Sequence, residues 1–184
     1  VFGAHNLNNL AGAKWICQNM GVDEADFYEA IASFKGASKR LEKIAEGKGK
    51  VAYKDFAHSP SKVSATTQAV KAQYPDRKLV ACLELHTYSS LNAEFLKEYE
   101  GALDAADVAV VFYSPDAVKI KQLEEVTYEQ IAESFKRKDL IIYTNPIEFK
   151  DFLFNFDLNN TALLLMSSGN YGGLNFDEVK KLML

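Results

Sequence analysis

The sequence has 184 residues, of which 48% are hydrophobic and 25% are charged, and its formal net charge at pH 7 is −4. A chain of this length and composition can bury one core as a soluble globular domain. Its basic residues are interspersed with acidic ones and form no stripe, so nucleic acid is not an expected partner. The longest apolar runs have five or six residues, which excludes a transmembrane helix of about 20 residues and argues against a membrane partner.

The two cysteines, Cys17 and Cys82, lie far apart and outside any CxxC pattern. We interpret them as reduced, buried thiols of a cytoplasmic protein, because two isolated cysteines form no disulfide framework. No signal peptide is recognisable. The chain begins with Val, and we therefore expect it to be a piece of a longer protein.

Two helices are predicted at the start of the chain, over residues 6–20, ending at Gly21, and over residues 24–34. The basic, glycine-containing stretch 35–50 (KGASKRLEKIAEGKGK) is predicted to be a linker or a hairpin. Five short runs follow that are apolar throughout, which predicts strands covered on both faces. The runs are 51–53, 79–83, 108–113, 140–143 and 162–166.

Amphipathic segments lie between these runs, and in three of them apolar side chains share one helical face, which predicts packing against a sheet. These residues are Val63, Thr67, Val70 and Tyr74; Leu91, Phe95, Tyr99 and Leu103; and Phe149, Phe152, Leu153 and Phe156. The alternation of strand and helix signals predicts an α/β fold with a mostly parallel sheet, preceded by a short helical segment.

Polar clusters follow three of the predicted strands: residues 54–60 (KDFAHSP), 84–90 (ELHTYSS) and 167–173 (SSGNYGG). Ligands of open parallel sheets bind beyond the carboxyl ends of the strands. We therefore expect the three loops to converge on one edge of the sheet and to form a site there.

Asn6 and Asn9 lie three residues apart and share a face in the first turns of the first helix. Helix capping is one interpretation, and contact with the edge of a purine base is the other, because an amide offers both a donor and an acceptor. Arg40 has three interpretations: a solvated charge, half of an ion pair with Glu42, or a phosphate clamp through its planar fork.

In the stretch 54–60, Asp55 is a candidate acceptor for ribose hydroxyls or for a metal-bound water, and His58 is close enough in sequence to face the same pocket. Pro60 is predicted to set a turn, and Ser61 to cap a helix over residues 61–74. A Ser-His-Asp nucleophile site is disfavoured, because no GxSxG elbow occurs and an Asp-x-x-His spacing does not orient an imidazole toward a serine.

The three histidines, His5, His58 and His86, fall in the separate stretches 3–13, 54–60 and 84–90. No HxxxH or HxH pair prearranges two metal ligands, so a metal site is disfavoured. Glycines in residues 167–174 are predicted to expose N–H groups that hold an anion such as a carboxylate. This stretch is not GxGxxG, and no GxxxxGK[ST] phosphate loop occurs. If the chain handles ATP, the main phosphate cradle therefore lies elsewhere.

Three motifs occur in order along the chain. Residues 3–9 (GAHNLNN) match GxHNxxN, residues 34–36 (FKG) followed by 40–42 (RLE) match F-x-G…R-x-E, and residues 55–60 (DFAHSP) match D-[YF]-A-H-x-P. Together they resemble the Mur ligase family, the ATP-dependent enzymes that build the peptide of bacterial cell-wall precursors. The resemblance spans the whole chain.

The resemblance implies that residues 1–35 are the terminal helices of a central ATP-binding domain, and that residues 36–184 are the C-terminal, substrate-binding domain with a Rossmann-like three-layer fold. The implied partners are the missing N-terminal and central domains, UDP-N-acetylmuramate, and a tripeptide or amino acid. ATP and Mg²⁺ are the implied cofactors, bound mainly by the central domain. The fragment alone is expected to be inactive.

The resemblance implies five ATP-binding residues. They are Asn6, Asn9, Arg40, Asp55 and His58. Asn9 would contact adenine, Arg40 the phosphates and Asp55 the ribose, while ATP phosphorylates the lactyl carboxylate of the sugar and the incoming amine attacks that acyl phosphate. No catalytic residue and no metal ligand is assigned within the chain.

The implied substrate-binding residues are His86, Ser89, Ser168 and Asn170. RLE, DFAH and MSSGNYGG most resemble the murein peptide ligases, which join UDP-N-acetylmuramate to L-Ala-γ-D-Glu-meso-diaminopimelate. Ligases that add L-alanine are the alternative, but their loop HRYTR reads HTYSS here, with Thr87 and Ser89 in place of both arginines. Further alternatives are a folylpolyglutamate synthase and a non-catalytic Mur-like module that holds a peptide or nucleotide.

Overall fold

The computed structural model describes residues 2–34, 36–124 and 126–184. The strands in these ranges are β1 (Glu42–Gly47), β2 (Lys50–Asp55), β3 (Lys78–Leu85), β4 (Val108–Tyr113), β5 (Ile141–Tyr143) and β6 (Thr161–Met166). The α-helices there are α1 (Ala4–Asn19), α2 (Glu24–Ala32), α3 (Pro60–Gln73), α4 (Ala93–Leu96), α5 (Pro115–Ile120), α6 (Tyr128–Phe135), α7 (Pro146–Asn155) and α8 (Phe176–Met183).

The strands form one sheet in the order β1-β2-β6-β3-β4-β5, and neighbouring strands are parallel except for β1 and β2. Successive residues of one strand enter opposite cores, because side chains alternate across a sheet. Val111 packs in the core that holds α3 and α6, whereas Phe112 packs in the core that holds α7 and α8. The predicted three-layer, Rossmann-like α/β fold is confirmed, and each of the five apolar runs forms a strand.

The stretch 35–50 contains a hairpin, in which β1 pairs with β2 in antiparallel register. Lys35, where the predicted linker begins, lies outside the described residues. The sequence of β1 (EKIAEG) has no apolar run, because the strand lies at the sheet edge and buries only Ala45. A Cβ on Gly47 would lie 2.2 Å from the Met183 carbonyl oxygen, so the end of α8 packs directly on the hairpin backbone.

Helix α3 confirms the predicted apolar stripe, since Val63, Thr67 and Val70 are fully buried. The prediction that Ser61 caps this helix is wrong. Pro60 occupies the first helical position and Ser59 is the N-cap, because the fixed φ of proline and its missing N–H suit the start of a helix.

The predicted stripe from Leu91 to Leu103 packs as expected but does not form one helix. Leu91, Tyr99 and Leu103 are buried, while the backbone is divided into short 3₁₀ turns (Ser89–Leu91, Lys97–Tyr99) around α4. The division begins at Asn92, whose side-chain oxygen accepts hydrogen bonds from the N–H groups of Glu94 and Phe95 and so starts a new helix there.

Helices α1 and α2 match the predicted initial helices, but α1 contributes no buried residue to the described structure. Its start contacts the domain, because Phe2 packs edge-to-face on Tyr53 and a Cβ on Gly3 would lie 2.7 Å from the Cβ of Ala69. No helix among the described residues is long and apolar enough to cross a membrane.

Both cysteines are free, in agreement with the prediction of reduced thiols. Cys82 is fully buried in β3, and burial raises the pKa of its thiol. Cys17 on α1 is only half-buried, so the prediction that its thiol is buried is wrong, because α1 lies outside both cores.

Candidate functional site

The order of the strands brings the three polar loops together. Strands β2, β6 and β3 are adjacent and parallel, and Met166 at the end of β6 is in register with Asp55 on one side and Leu83 on the other. The loops that follow these strands therefore leave from the same edge, as the sequence predicts. A direct link confirms the contact between two of them, since the Ser167 N–H donates to the Asp55 carbonyl oxygen at 2.9 Å.

The carboxylate of Asp55 holds two backbone segments. Its Oδ2 accepts the Leu41 N–H at 2.6 Å, and its Oδ1 accepts the Ala57 N–H at 2.7 Å. Each carboxylate oxygen can accept more than one hydrogen bond. The carboxylate thus fixes the Arg40 turn (residues 38–41) and retains acceptor capacity for a ligand hydroxyl.

The Arg40 turn has an unusual backbone, because Lys39 has φ 55° and Leu41 has φ 43°. Such left-handed conformations are uncommon for residues other than glycine and persist where the surroundings determine them. The Asp55 carboxylate holds Leu41, and the Phe56 N–H donates to the Lys39 carbonyl oxygen at 2.7 Å. Arg40 itself is exposed, and its guanidinium has no hydrogen bond or ion pair with the part of the chain that the structure describes.

Glu42 is the second anchor of this turn. It accepts the Lys39 N–H at 2.8 Å and the Ser38 hydroxyl at 3.1 Å, and it forms an ion pair with Lys54 at 3.0 Å. The interpretation of Arg40 as an ion-pair partner of Glu42 is therefore wrong, because Lys54 takes that place. The Lys39 N–H, and after it the Lys54 ammonium, hold the pKa of the Glu42 carboxyl below its ordinary value.

We expect Glu42→Gln to reduce the acid sensitivity of the 184-residue chain. A carboxyl whose pKa is lower in the folded state stabilises the fold above its unfolded pKa, and this contribution is lost as the pH falls below about 4.3. Urea midpoints measured between pH 7 and pH 3 should fall less steeply for Glu42→Gln than for the wild type. Glu133→Gln, at an exposed position on α6, is the control and should keep the wild-type slope; equal slopes for all three proteins would contradict the assignment.

His58 is held by its own loop. Its Nδ1 lies 2.8 Å from the Phe56 carbonyl oxygen, its ring packs edge-to-face on Phe56, and its carbonyl oxygen accepts a hydrogen bond from the Tyr99 hydroxyl. Asp55 is hydrogen-bonded to backbone N–H groups and not to this imidazole, which agrees with the rejection of a Ser-His-Asp site. Within the described ranges, no three His, Cys, Asp or Glu side chains are grouped so that they could hold a metal ion.

Asn6 and Asn9 do not cap α1. The helix begins at Ala4 with Gly3 (φ 88°) as N-cap, because glycine adopts this backbone conformation without strain. Asn6 Nδ2 donates to the Phe2 carbonyl oxygen at 3.0 Å, and Asn9 is exposed. The capping interpretation is therefore wrong. No contact within the described residues joins either asparagine to the Asp55 carboxylate.

A buried polar cluster beside Asp55 was missed at the sequence level. Glu84 lies in β3 with 3% of its surface exposed. Its Oε2 accepts the Ser167 hydroxyl and, at 2.9 Å, the Tyr171 N–H. The only sequence signal is a charged residue inside the apolar run LVACLEL, which is unusual because an unpaired buried charge is costly.

The predicted substrate residues divide between two loops around this cluster. His86 Nδ1 lies 3.6 Å from Glu84 Oε1, and 41% of the His86 side chain is exposed. Ser89 is exposed, and its hydroxyl lies 3.2 Å from that of Thr87, which also donates to Ser90 Oγ. Thr87 and Ser89 therefore organise their own loop and provide no positive charge in place of the missing arginines.

Several backbone N–H groups of the loop 167–173 are already engaged by side chains. The Gly169 N–H donates to Ser167 Oγ and the Gly173 N–H donates to Asn170 Oδ1. The Tyr171 N–H is likewise bound to Glu84. None of these three N–H groups is available for an anion, so the prediction that they hold one is wrong. Asn170 is exposed, and the buried Ser168 Oγ has no hydrogen-bond partner in the described structure.

Sequence comparison relates the chain to curated cell-wall ligases. A UDP-N-acetylmuramate–L-alanine ligase of Agathobacter rectalis is 30% identical over 183 residues, which are 98% of this chain and 39% of that protein. A ligase of the same name from Lactococcus lactis subsp. cremoris is 29% identical over 142 residues, or 77% of this chain and 32% of that protein. The chain thus spans between 32% and 39% of the length of these relatives. No family model matches the sequence.

Solved structures share the fold. A UDP-N-acetylmuramate–alanine ligase of Thermotoga maritima has a TM-score of 0.71 at 20% identity, covering 100% of this chain and 37% of that chain. A murein peptide ligase of Psychrobacter arcticus has a TM-score of 0.68 at 21% identity, covering 98% of this chain and 37% of that chain. In both cases the likeness extends over α1 and α2 as well as the sheet domain.

Proposed function

Because this chain belongs to the Mur ligase family, we propose that it forms the C-terminal part of an ATP-dependent ligase of peptidoglycan synthesis or recycling. The full-length protein joins the carboxylate of UDP-N-acetylmuramate to an amine through an acyl phosphate. The observation that carries this proposal is the Asp55 carboxylate, which lies at the shared strand edge and holds the turn of a free, exposed Arg40. A cytoplasmic location follows from the nucleotide substrates.

The residues at this edge fit a nucleotide. A guanidinium without an ion-pair partner can form bidentate bonds with phosphate oxygens. The Asp55 carboxylate already accepts two N–H groups and keeps acceptor capacity that suits ribose hydroxyls. We assign Arg40 to the phosphates, Asp55 to the ribose, Asn9 and Asn6 to the adenine, and His58 to the edge of the pocket.

The described part of this chain is a poor fit for Mg²⁺. Mg²⁺ prefers several oxygen ligands in near-octahedral geometry, whereas the described part of the chain offers no cluster of three candidate ligands. We propose that the central domain holds the metal together with the main phosphate cradle. The chemistry that Mg²⁺ supplies there is neutralisation of the charge on the transferring phosphoryl group.

Exposed apolar side chains on the initial helices support the proposed domain assignment. Trp15 on α1 and Met20, the C-cap of this 16-residue helix, are 67% and 79% exposed. A large exposed apolar surface on a helix of this length is typical of an interface. We propose that residues 1–35 are the terminal helices of the central ATP-binding domain, and that residues 36–184 are the C-terminal substrate domain.

The amino substrate is proposed to bind between loops 84–90 and 167–173, in contact with His86, Ser89, Ser168 and Asn170. We favour the tripeptide L-Ala-γ-D-Glu-meso-diaminopimelate, because the HTYSS loop lacks both arginines of the alanine-adding ligases. L-alanine is the second candidate, and it is favoured by the similarity to curated UDP-N-acetylmuramate–L-alanine ligases.

A substrate panel with the full-length protein tests both levels of the proposal. We expect release of ADP and phosphate that requires UDP-N-acetylmuramate and rises with tripeptide but not with L-alanine. We also expect no turnover by the 184-residue chain alone, because it lacks a phosphate loop and such sites are assembled by domain closure. Turnover with L-alanine only would select the second candidate, and full-length protein that binds nucleotide or peptide without turnover would show a non-catalytic module.

A further inference from the structure

The carboxylate of Glu84 has no role in the proposed reaction, although it lies buried directly beneath the two substrate loops. We propose that Glu84 is a positioning residue of the amino-substrate site, which holds loop 167–171 with one carboxylate oxygen and the His86 imidazole with the other. This inference rests on the proposed function. In this role, Glu84 sets the relative positions of the two substrate loops.

One carboxylate oxygen of Glu84, Oε2, holds loop 167–171. Glu84 Oε2 accepts the Ser167 hydroxyl and the Tyr171 N–H, so it binds loop 167–171 at both ends. Ser167 extends the connection, because its N–H donates to the Asp55 carbonyl oxygen and its hydroxyl oxygen accepts the Gly169 N–H at 2.6 Å. Glu84 is therefore connected through one serine to the strand end that carries the proposed ribose ligand.

The loop backbone at Gly169 packs closely against the side chains of Glu84 and His86. A Cβ on Gly169 would lie 2.9 Å from Glu84 Oε2 and 3.0 Å from Cγ of His86. The loop backbone thus rests directly on the Glu84–His86 pair, with no room for a side chain between them. The positions of Ser168 and Asn170, which flank this glycine, are set by the contact.

The other carboxylate oxygen of Glu84, Oε1, lies beside the imidazole of His86. Glu84 Oε1 faces His86 Nδ1 at 3.6 Å, while 41% of the imidazole side chain remains exposed. A carboxylate beside one ring nitrogen favours the tautomer with the proton on that nitrogen. The 3.6 Å separation is longer than a hydrogen bond, so the carboxylate acts on the ring through its charge, and the exposed part of the imidazole is left for a ligand.

Glu84→Gln separates the two roles. Its amide oxygen can replace Oε2 toward Ser167 and Tyr171. Its amide nitrogen then replaces Oε1, and an NH₂ group is a donor that cannot act as an acceptor for the His86 Nδ1–H group. In the full-length ligase we expect this variant to raise KM for the amino substrate about tenfold, with KM for ATP within about twofold of the wild type. Ser167→Ala removes two hydrogen bonds, one donated to Glu84 Oε2 and one accepted from the Gly169 N–H. It leaves both carboxylate oxygens in place and should raise the same KM.

Thr67→Val is the control for the loss of a buried polar group, because its hydroxyl donates to the Val63 carbonyl oxygen on α3. It should lower Tm without changing either KM. A Glu84→Gln protein with an unchanged KM for the amino substrate, or with equal changes in both KM values, would overturn the positioning role.

Nitrogen NMR of the 184-residue chain tests the contact between Glu84 and His86 without a measurement of ligase activity. We expect the wild-type His86 to carry its proton on Nδ1, and Glu84→Gln to change that tautomer. Glu84→Leu should additionally speed hydrogen exchange at Tyr171. If the full-length wild type shows no ligation, the proposed function fails, and with it the assignment to an amino-substrate site. If ligation occurs, both changes support the positioning role, and the absence of either change contradicts it.

Discussion

Arg40→Ala is expected to slow ligation by the full-length protein by about 10²- to 10³-fold while leaving Tm unchanged. Removing one preorganised group that stabilises developing charge typically has an effect of this size. The fold does not depend on the side chain, since Arg40 is exposed and its guanidinium contacts no partner in the described structure. Steady-state kinetics at saturating ATP and a thermal melt measure the two quantities on the same sample.

Two further variants sharpen this experiment. Lys48→Ala removes one positive charge from an exposed position in the β1–β2 turn and should leave the rate within about twofold, because exposed charges distant from a site are screened. Arg40→Lys keeps the charge but loses the planar fork, so an intermediate rate is expected. An Arg40→Ala enzyme as fast as Lys48→Ala would exclude Arg40 from the phosphate site.

The sequence was informative about the centre of the fold and less so about its edges. Strands such as β4 and β6 are recognisable because parallel strands covered on both faces are apolar throughout. Strand β1 escapes this signal, since it lies at the sheet edge and mixes charged residues with one buried alanine. Helix α6 has only Ile131 and Phe135 as buried anchors, too few to reveal a stripe.

Local patterns also misassigned the helix starts. Ser61 and Asn6 are residue types that cap helices well, yet Pro60 and Gly3 determine where α3 and α1 begin. Proline and glycine restrict or free the backbone itself, and this outweighs the single hydrogen bond that a capping side chain offers.

The position of the candidate site could be predicted from the sequence, but the hydrogen-bond partners within it could not. Parallel strands end at one edge, so the meeting of the three loops follows from topology. The partners of Glu84 do not, because its hydrogen bond to Ser167 joins residues 83 positions apart, and no periodicity encodes such a pair. The same holds for Asp55, which was predicted as an acceptor for a ligand and whose carboxylate also holds Leu41, 14 residues away.

Asp55→Ala is expected to affect both stability and nucleotide affinity. It removes the acceptor of the Leu41 and Ala57 N–H groups, and hydrogen bonds to charged groups contribute about 1.5–3 kcal/mol each. Because water can replace part of this contribution at a half-buried site, we expect the free energy of unfolding to fall by about 2–4 kcal/mol. Urea unfolding of the 184-residue chain measures it.

Asp55→Asn discriminates between loss of charge and loss of acceptors. One Asn oxygen can still accept a backbone N–H, but the amide nitrogen would face the second donor, so this variant should be nearly as unstable as Asp55→Ala. Asp157→Ala is the matched control, because that carboxylate accepts a single N–H, from Asn159, in an exposed turn, and its loss should cost about 1 kcal/mol or less.

The backbone of the Arg40 turn provides a reason to expect that the Asp55 carboxylate affects both stability and the proposed nucleotide site. Lys39 and Leu41 both adopt positive φ. Each such conformation raises the energy of the backbone by about 1–3 kcal/mol and persists only where surrounding contacts stabilise it. Without Asp55 the turn should relax, and hydrogen exchange at Leu41 should speed up together with a rise in KM for ATP in the full-length protein. A chain that exchanges faster at Leu41 but keeps its KM for ATP would show that Asp55 shapes the turn without serving the nucleotide.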